Sequence, residues 1–410
     1  MSMPAAPIPS TPPSADEVLL GLGNTVDYEI AWDAPTVSML LRQHGVRVGD
    51  GPVEGAIETA ADLLRALLAH VREGSGGEHF IASKAVLLTF AARFRSEITL
   101  GGTNVRAALA MRALGRPSTV HLVSTNDDTR RLLPDDVATI SSADGDSLDP
   151  HVIVQFPAGT TVDASDGPVV APRPNRVILT NDIPNRELVI AEALGDAVER
   201  AHVVMVSGFN SMQEPELLER RMTDVLRHIA RRSSDSMCVY EHAAFHVAAF
   251  SERVREVVGP HVDIWCCNEE ELQDHLGHEL DLLDPREVLD AAQQLHRDVG
   301  APSLVVHTRF WALAIGGPAA RRRAMLFGGT ALAGTRYAHG DAVTPQHLAE
   351  AAGWPPQAEG VQFAEAVEAL GGDDVTCVAS YRVPVSTPTT IGLGDAFVGG
   401  VVAALAALPR

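Results

Sequence analysis

The sequence TTIGLGDAFVGG, which forms residues Thr389–Gly400, joins a turn with two glycines to a single carboxylate and an apolar run. Glycines allow backbone N–H groups to face a ligand where a Cβ would clash. The apolar run after Asp395 predicts a buried helix, and the free N–H groups and dipole at its N-terminus favour an anion. Asp395 would then be a base beside a phosphate-binding turn, as phosphoryl transfer to a hydroxyl requires. The alternative is an ordinary turn in which Asp395 caps the helix.

Length and charge restrict the classes of function. The 410 residues are enough for two or three average domains, or for one large α/β domain with an insert, and 46% of them are apolar. The formal net charge is −21, which disfavours nucleic acid or an anionic membrane as the main partner. An anionic substrate would therefore need a local positive site.

The cysteines and the N-terminus are typical of a soluble cytoplasmic protein. The four cysteines lack zinc-ligand spacing, and we expect them to be reduced thiols in the core. The N-terminus lacks the basic and apolar parts of a secretory signal, and no run reaches the ~18 apolar residues of a membrane span. Residues 1–14 are rich in Pro, Ser and Ala, which predicts a disordered tail.

Lys84 is the only lysine, and it does not follow a G-x-x-x-x-G sequence. A P-loop of the G-x-x-x-x-G-K-[ST] type is therefore excluded. The glycine loop, lysine and His-Arg-Asp set of protein kinases is absent as well. Any phosphate chemistry must depend on backbone amides and arginines.

Apolar strands alternate with helical segments, most regularly from residue 187 onward, which predicts an α/β fold with a mostly parallel sheet covered on both faces. In such a sheet, polar residues just past the strand ends meet at the ligand crevice. The sequence predicts a ligand site there, formed by Asn24 and Asp27, Ser207 and Asn210, Glu241, Asn268 and Glu271, and His307 and Thr308.

Two of these groups are substrate or metal candidates. Asn24 and Asp27 follow the first strand and could bind substrate, although an ordinary Asn- and Asp-rich turn is the alternative. Asn268-x-x-Glu271 places an amide and a carboxylate on one face of a helix, a pair that can hold hydrated Mg²⁺. The alternative is a helix start that Asn268 caps. His307 after a buried strand is more often a hydrogen-bonded structural residue than a catalyst.

Two further segments could contact a ligand. Gly101-Gly102-Thr103-Asn104 lies at a strand–helix junction, where the glycines would let a ligand approach the backbone. The alternative is a tight turn that Thr103 or Asn104 caps. Arg176 lies in the extended, proline-interrupted segment 171–180, which fits an edge or lid strand better than a core strand. Its guanidinium could reach a transferred phosphate, or it could be an ordinary surface arginine.

Taken together, and in order from about Gly21 to the C-terminus, these stretches resemble the ADP-dependent sugar kinases. This family comprises glucokinases and 6-phosphofructokinases and is a branch of the ribokinase-like superfamily. The resemblance is carried by Gly21–Asp27, Gly101–Asn104, Pro172–Ile178, Ser207–Phe209, Glu241, Asn268–Glu271, Val306–Thr308 and Gly392–Asp395. One departure is Val239, which stands where the family has the His of a His-x-Glu motif.

The resemblance implies a ribokinase-like three-layer sandwich with a smaller β-rich lid domain. The large nucleotide-binding domain would comprise residues 15–30, 100–149 and 185–410. The lid would be discontinuous and would come from residues 31–99 and 150–184. Closure of such a lid would exclude water from the reacting groups.

The resemblance also implies a role for each candidate. Asp395 would be the catalytic base, Gly392, Leu393 and Gly394 the anion hole, and Arg176 the phosphate ligand. Asn24, Asp27, Gly101, Gly102 and Asn104 would bind the sugar, and His307, Thr308 and Gly394 the nucleotide. Asn268, Glu271 and Glu241 would hold Mg²⁺.

The leading hypothesis is thus a Mg²⁺-dependent kinase that transfers a phosphoryl group from ADP to glucose or fructose-6-phosphate. One alternative is an ATP-dependent ribokinase-type kinase of a nucleoside or another small alcohol. The other is a non-catalytic ligand-binding protein of the same fold. The sequence alone leaves the acceptor, the choice of ADP or ATP and the oligomeric state open.

Overall fold

A computed structural model of the chain describes residues 14–53, 55–385, 389 and 391–409. Most of the predicted tail, residues 1–13, lies outside this range, as does Thr390 of the glycine turn. The strands are β1 Val18–Leu20, β2 Thr25–Ile30, β3 Gly77–Phe80, β4 Ser96–Gly101, β5 Thr119–Leu122, β6 Ala138–Ser141, β7 His151–Phe156, β8 Thr161–Ala164, β9 Gly167–Val170, β10 Asn175–Thr180, β11 Val203–Val206, β12 Met237–Glu241, β13 Ile264–Asn268, β14 Ser303–His307, β15 Trp311–Ile315 and β16 Val375–Ala379.

The helices are mostly amphipathic and occupy the segments between strands. They are α1 Ala34–Gln43, α2 Ala60–Glu73, α3 Lys84–Ala91, α4 Thr103–Arg112, α5 Asp127–Leu132, α6 Ile183–Glu187, α7 Ala193–Arg200, α8 Pro215–Ile229, α9 Ala248–Val258, α10 Glu269–Leu276, α11 Pro285–Val299, α12 Ala319–His339, α13 Pro345–Ala351, α14 Ala358–Gly371 and α15 Leu393–Ala406. Within the described residues, no helix is both long enough and apolar enough to cross a membrane.

A nine-stranded sheet forms the centre of the molecule, in the order β16-β15-β14-β13-β12-β11-β1-β5-β6. Its pairs are parallel except those of β15, which is antiparallel to both neighbours. The central strands are fully buried because helices cover both faces. One core contains α7, α8, α9, α11 and α14, and the other contains α4, α12 and α15. This arrangement confirms the predicted three-layer α/β fold.

A smaller sheet has the order β3-β10-β7-β2-β4 and packs on α1, α2 and α3 in a third core. β10 lies inside this sheet, between β3 and β7, so of the two predicted alternatives, an edge strand or a lid strand, the edge strand is wrong. Its prolines, Pro172 and Pro174, precede the strand and remove no donor from the hydrogen-bonded ladder.

The chain passes from one sheet to the other immediately after β1. Only residues 21–24 separate β1 in the large sheet from β2 in the small one. β2 therefore belongs to the small sheet, although the predicted division placed residues 15–30 with the large domain. The division into domains as a whole remains a prediction.

The last helix, α15, is anchored in the core. Its residues from Ala396 to Ala403 are buried, and a Cβ at Gly400 would collide with the backbone of Gly328 in α12. The two helices thus pack at backbone distance, which holds the N-terminus of α15 in a fixed position. All four cysteines are buried free thiols, as predicted.

Candidate active site

A cleft of about 730 Å³ opens at the carboxyl ends of β12, β13 and β14. The N-terminus of α15 forms one wall, and β10 of the small sheet contributes Arg176 from the other side. The cleft brings together ten of the predicted site residues. They are Arg176, Glu241, Asn268, Glu271, His307, Thr308, Gly392, Leu393, Gly394 and Asp395.

The glycine turn lies at the N-terminus of a buried helix, as its sequence predicts. Gly392 has φ +67°, in the left-handed region, and is the N-cap of α15. A Cβ there would lie 2.9 Å from Cδ of Arg106, so a side chain would not fit. Asp395 lies in the first turn of the helix with its side chain 23% exposed. The arrangement places a carboxylate beside N–H groups that have no partner within the helix.

The carboxylates of Glu241 and Glu271 line the cleft at the ends of β12 and β13 and form its acid wall, where Oε1 of Glu241 would lie 3.9 Å from a Cβ at Gly394 of the glycine turn. Asn268 and Glu271 form a capping box at the start of α10, with both side-chain-to-backbone hydrogen bonds at 2.9 Å. The predicted cap is therefore present, and both oxygens keep free lone pairs. Glu241 lies 3.3 Å from Nε2 of His307, and its Oε2 atom is buried without a hydrogen-bond partner among the described residues.

The ionisation of these acids reflects their crowding. Burial, with a contribution from Asp395, raises the pKa of Glu241 well above its usual value. Burial and the neighbouring Glu241 raise the pKa of Glu271 to about 8. Burial lowers the pKa of His307, which therefore supplies no positive charge near neutral pH. A cation bound here would favour the ionised form of these carboxylates and lower their pKa values.

These residues fit hydrated Mg²⁺. Across the described part of the chain, no three His, Cys, Asp or Glu side chains converge on a point that could hold a metal ion. Mg²⁺ does not require such a cage, since it keeps several waters and binds through one or two carboxylates and substrate phosphates. The orphaned Oε2 atom of Glu241 and the free lone pairs of Asn268 and Glu271 suit that mode.

The predicted sugar ligands lie behind the cleft and are bonded within the protein. Asn24 is 1% exposed and bridges Val123 and Ser124, and Asn104 is fully buried and donates to the carbonyl oxygen of His121. Asp27 is 5% exposed. Their proposed contact with a sugar remains a prediction.

Close packing within the protein requires glycine at both positions of the Gly101-Gly102 pair. A Cβ at Gly101 would collide with Thr25 and Asp27, and Gly102 has φ +89° and lies against the backbone of Asn24. Thr103, the next residue, lines the cleft. The loop therefore reaches the site through a residue that the sequence analysis did not select.

Arg106 is the most important residue that the sequence analysis missed. It lies on α4 and is 3% exposed, between the carboxylates of Asp27 and Asp395. The signal was a single arginine within the apolar run Val105–Met111, since a buried charge requires partners.

A second missed group joins the two sheets. Glu78 of β3 lies 3.0 Å from Nε2 of His246, which follows β12. Burial alone would raise the pKa of Glu78, but His246 and His151 lower it. His151 of β7 lies 3.0 Å from Asp182, with its side chain 14% exposed. Burial alone would lower the pKa of His151, but Asp182 raises it to about 9.

The ion pair between His151 and Asp182 predicts that the stability of the protein depends on pH. A pKa raised in the folded state stabilises the protein fully below about pH 6.5 and loses the effect as the pH rises through about 9. We expect His151→Gln to lower the free energy of unfolding by about 3 kcal/mol more at pH 6 than at pH 10. Denaturant unfolding at both pH values measures this, with the exposed His44→Gln as the control. A difference between wild type and His151→Gln that does not change with pH would contradict the assignment.

Solved structures of the same fold include phosphofructokinases and an ADP-dependent kinase. A hypothetical ADP-dependent phosphofructokinase from Pyrococcus horikoshii OT3 matches with a TM-score of 0.76 and 17% identity, over 96% of this chain and 98% of that one. A phosphofructokinase from the same organism, solved with AMP, gives 0.75 and 16%, over 97% and 99%. An ADP-dependent kinase in complex with fructose-6-phosphate and ADPbetaS gives 0.72 and 14%, over 95% and 94%. A search of curated proteins found no match.

The fold and the cleft define a three-layer α/β protein with a site at the carboxyl ends of its parallel strands, and the family match makes it a phosphotransferase with an alcohol group as acceptor. The sequence matches the ADP-specific Phosphofructokinase/Glucokinase conserved region over residues 16–400. The chain therefore belongs to this family, as the resemblance predicted, and is a sugar kinase that uses ADP.

Proposed function

We propose that this protein transfers the terminal phosphoryl group of ADP to a hydroxyl of a hexose or hexose phosphate, glucose or fructose-6-phosphate, and requires Mg²⁺. The observation that carries the proposal is the position of Asp395. It lies at the N-terminus of α15, in one cleft with Arg176 and with the acid wall around Glu271. A base, an anion site and a cation site thus face the same space.

The proton is handled by Asp395. Its carboxylate accepts the proton of the acceptor hydroxyl as the oxygen attacks the terminal phosphorus atom of ADP. The bond from that phosphorus to the bridging oxygen breaks and AMP leaves, and Asp395 later releases the proton to water. The backbone N–H groups of Leu393, Gly394 and Asp395 stabilise the negative charge on the transferred group. Arg176 contributes a positive, forked donor from the lid side of the cleft.

The acid wall contributes the cation site. Asn268, Glu241 and Glu271 would hold Mg²⁺, which when bound neutralises charge on the nucleotide phosphates. Val239 occupies the position of the histidine in the His-x-Glu motif. It lies on β12 and is buried beneath Glu241. Glu241 therefore keeps its place at the strand end without that second polar group.

A panel of donors and acceptors tests the function. Purified protein is incubated with ADP or ATP, each with glucose, fructose-6-phosphate or a nucleoside. The amount of phosphorylated acceptor is then compared with the amount of nucleotide consumed. We expect product from ADP with a hexose or hexose phosphate, and none once EDTA removes Mg²⁺. Turnover of a nucleoside with ATP would favour the ribokinase-type alternative. Binding without turnover in any combination would favour a non-catalytic protein.

A further inference from the structure

Arg106 connects the two sheets behind the cleft. Its Nη2 atom lies 2.7 Å from Oδ2 of Asp27, on β2 of the small sheet. Its Nε atom lies 4.0 Å from Oδ2 of Asp395, on α15 of the large domain. The side chain is 4% exposed and does not line the cleft. Arg106 can therefore act on the reaction only through the residues that it contacts.

The guanidinium remains charged in this position. Burial alone would lower the pKa of Arg106, but Asp27 and Asp395 raise it above its ordinary value. Glu29 lies 3.7 Å from Nη2, so three carboxylates surround one buried cation. Removing the cation would leave the buried Asp27 and the partly buried Glu29 and Asp395 without this positive partner, and a buried charge without a partner is destabilising.

The guanidinium also lies directly beneath the glycine turn. A Cβ at Gly392 would lie 3.2 Å from Nη1 of Arg106, an atom that is buried without a hydrogen-bond partner among the described residues. Arg336 contacts the same turn from another side, where its Nε atom donates to the carbonyl oxygen of Ile391 at 2.9 Å. Two arginines thus underlie the turn, and only Arg106 also lies within 4.0 Å of Asp395.

We propose that Arg106 is a positioning residue, which holds the carboxylate of Asp395 in register with Asp27 and so makes the position of the base depend on the small sheet. The inference rests on the proposed role of Asp395 as the base. A planar guanidinium suits this task because it directs Nη2 at Asp27 and Nε toward Asp395 at the same time, whereas an ammonium group is a point charge. A misplaced base costs rate rather than nucleotide affinity.

Three variants test the proposal. Arg106→Gln removes the charge, and Arg106→Lys keeps the charge but lacks the fork. Arg112→Gln is the control. Arg112 lies on the same helix as Arg106, and this substitution removes an exposed ion pair with Asp136. Melting temperature, kcat, the KM of the acceptor and the Kd of ADP from calorimetry are measured for each.

We expect Arg106→Gln to lower kcat about 100-fold and Arg106→Lys about 10-fold. The Kd of ADP should stay within about twofold, since Arg106 does not line the cleft, and Arg112→Gln should match wild type. A kcat near that of wild type in folded Arg106→Gln would overturn the proposal, as would an equal loss of ADP affinity. If Arg106→Gln does not fold, wild-type kcat in Arg106→Lys overturns it. Inactive wild-type protein would instead reject the proposed function.

Discussion

Asp395→Asn is expected to lower kcat by a factor of about 10² to 10⁴, the contribution of one well-placed general base. The carboxylate is the only acid on the turn, and it lies at the N-terminus of α15, where the transferred group would be bound. The amide of asparagine has nearly the same shape but cannot accept the proton. The N–H groups of the turn are unchanged, so the Kd of ADP should stay within about threefold.

Steady-state kinetics with the best acceptor, together with calorimetric titration of ADP, measures both quantities. Asp136→Asn is the matched control, because it neutralises an exposed carboxylate on the protein surface. The melting temperature of each variant shows whether it is folded. Near-wild-type turnover in folded Asp395→Asn would reject the assignment of the base and require another proton acceptor in the cleft.

The strand ends show what the sequence could predict. Glu241, Asn268 and His307 each follow a run of buried apolar residues, and the rule that parallel strands end at one edge brings them together. The turn at Gly392 was equally readable, because a left-handed residue before an apolar helix has a strong glycine signal. Both predictions depend only on local patterns and on the direction of the strands.

Contacts between segments that are far apart in the sequence could not be predicted in this way. Arg106 meets Asp27 and Asp395 across large separations in sequence, and nothing near any of the three residues specifies the others. Asn104 shows a second limit. This polar residue after a Gly-Gly pair donates a hydrogen bond to a buried carbonyl oxygen and does not line the cleft. The sequence shows that a polar side chain needs a partner, but a single chain does not show which partner it has.

The small sheet contributes a second large effect through Arg176. Its position on β10, inside the small sheet, gives the guanidinium a rigid support from which it lines the cleft. Burial lowers the pKa of His307, so Arg176, which lines the cleft, is well placed to offset charge on the phosphoryl group. We expect Arg176→Ala to lower kcat by about 10² to 10³, as removal of one preorganised donor does. Arg176→Lys should recover only part of this, because it lacks the fork.

Arg173→Ala is the matched control for this prediction. Arg173 lies three residues earlier in the same segment and donates from Nε to the carbonyl oxygen of Gly74 at 2.9 Å, away from the cleft. Steady-state kinetics of the three variants, with melting temperatures, separates the effect of charge in the cleft from that of the stability of the small sheet. If Arg176→Ala and Arg173→Ala lose activity equally, the arginine acts through the stability of the small sheet. If only Arg176→Ala loses activity, and kcat falls more than the affinity for ADP, its positive charge acts on the transferred group, because an interaction made mainly in the transition state affects kcat rather than binding.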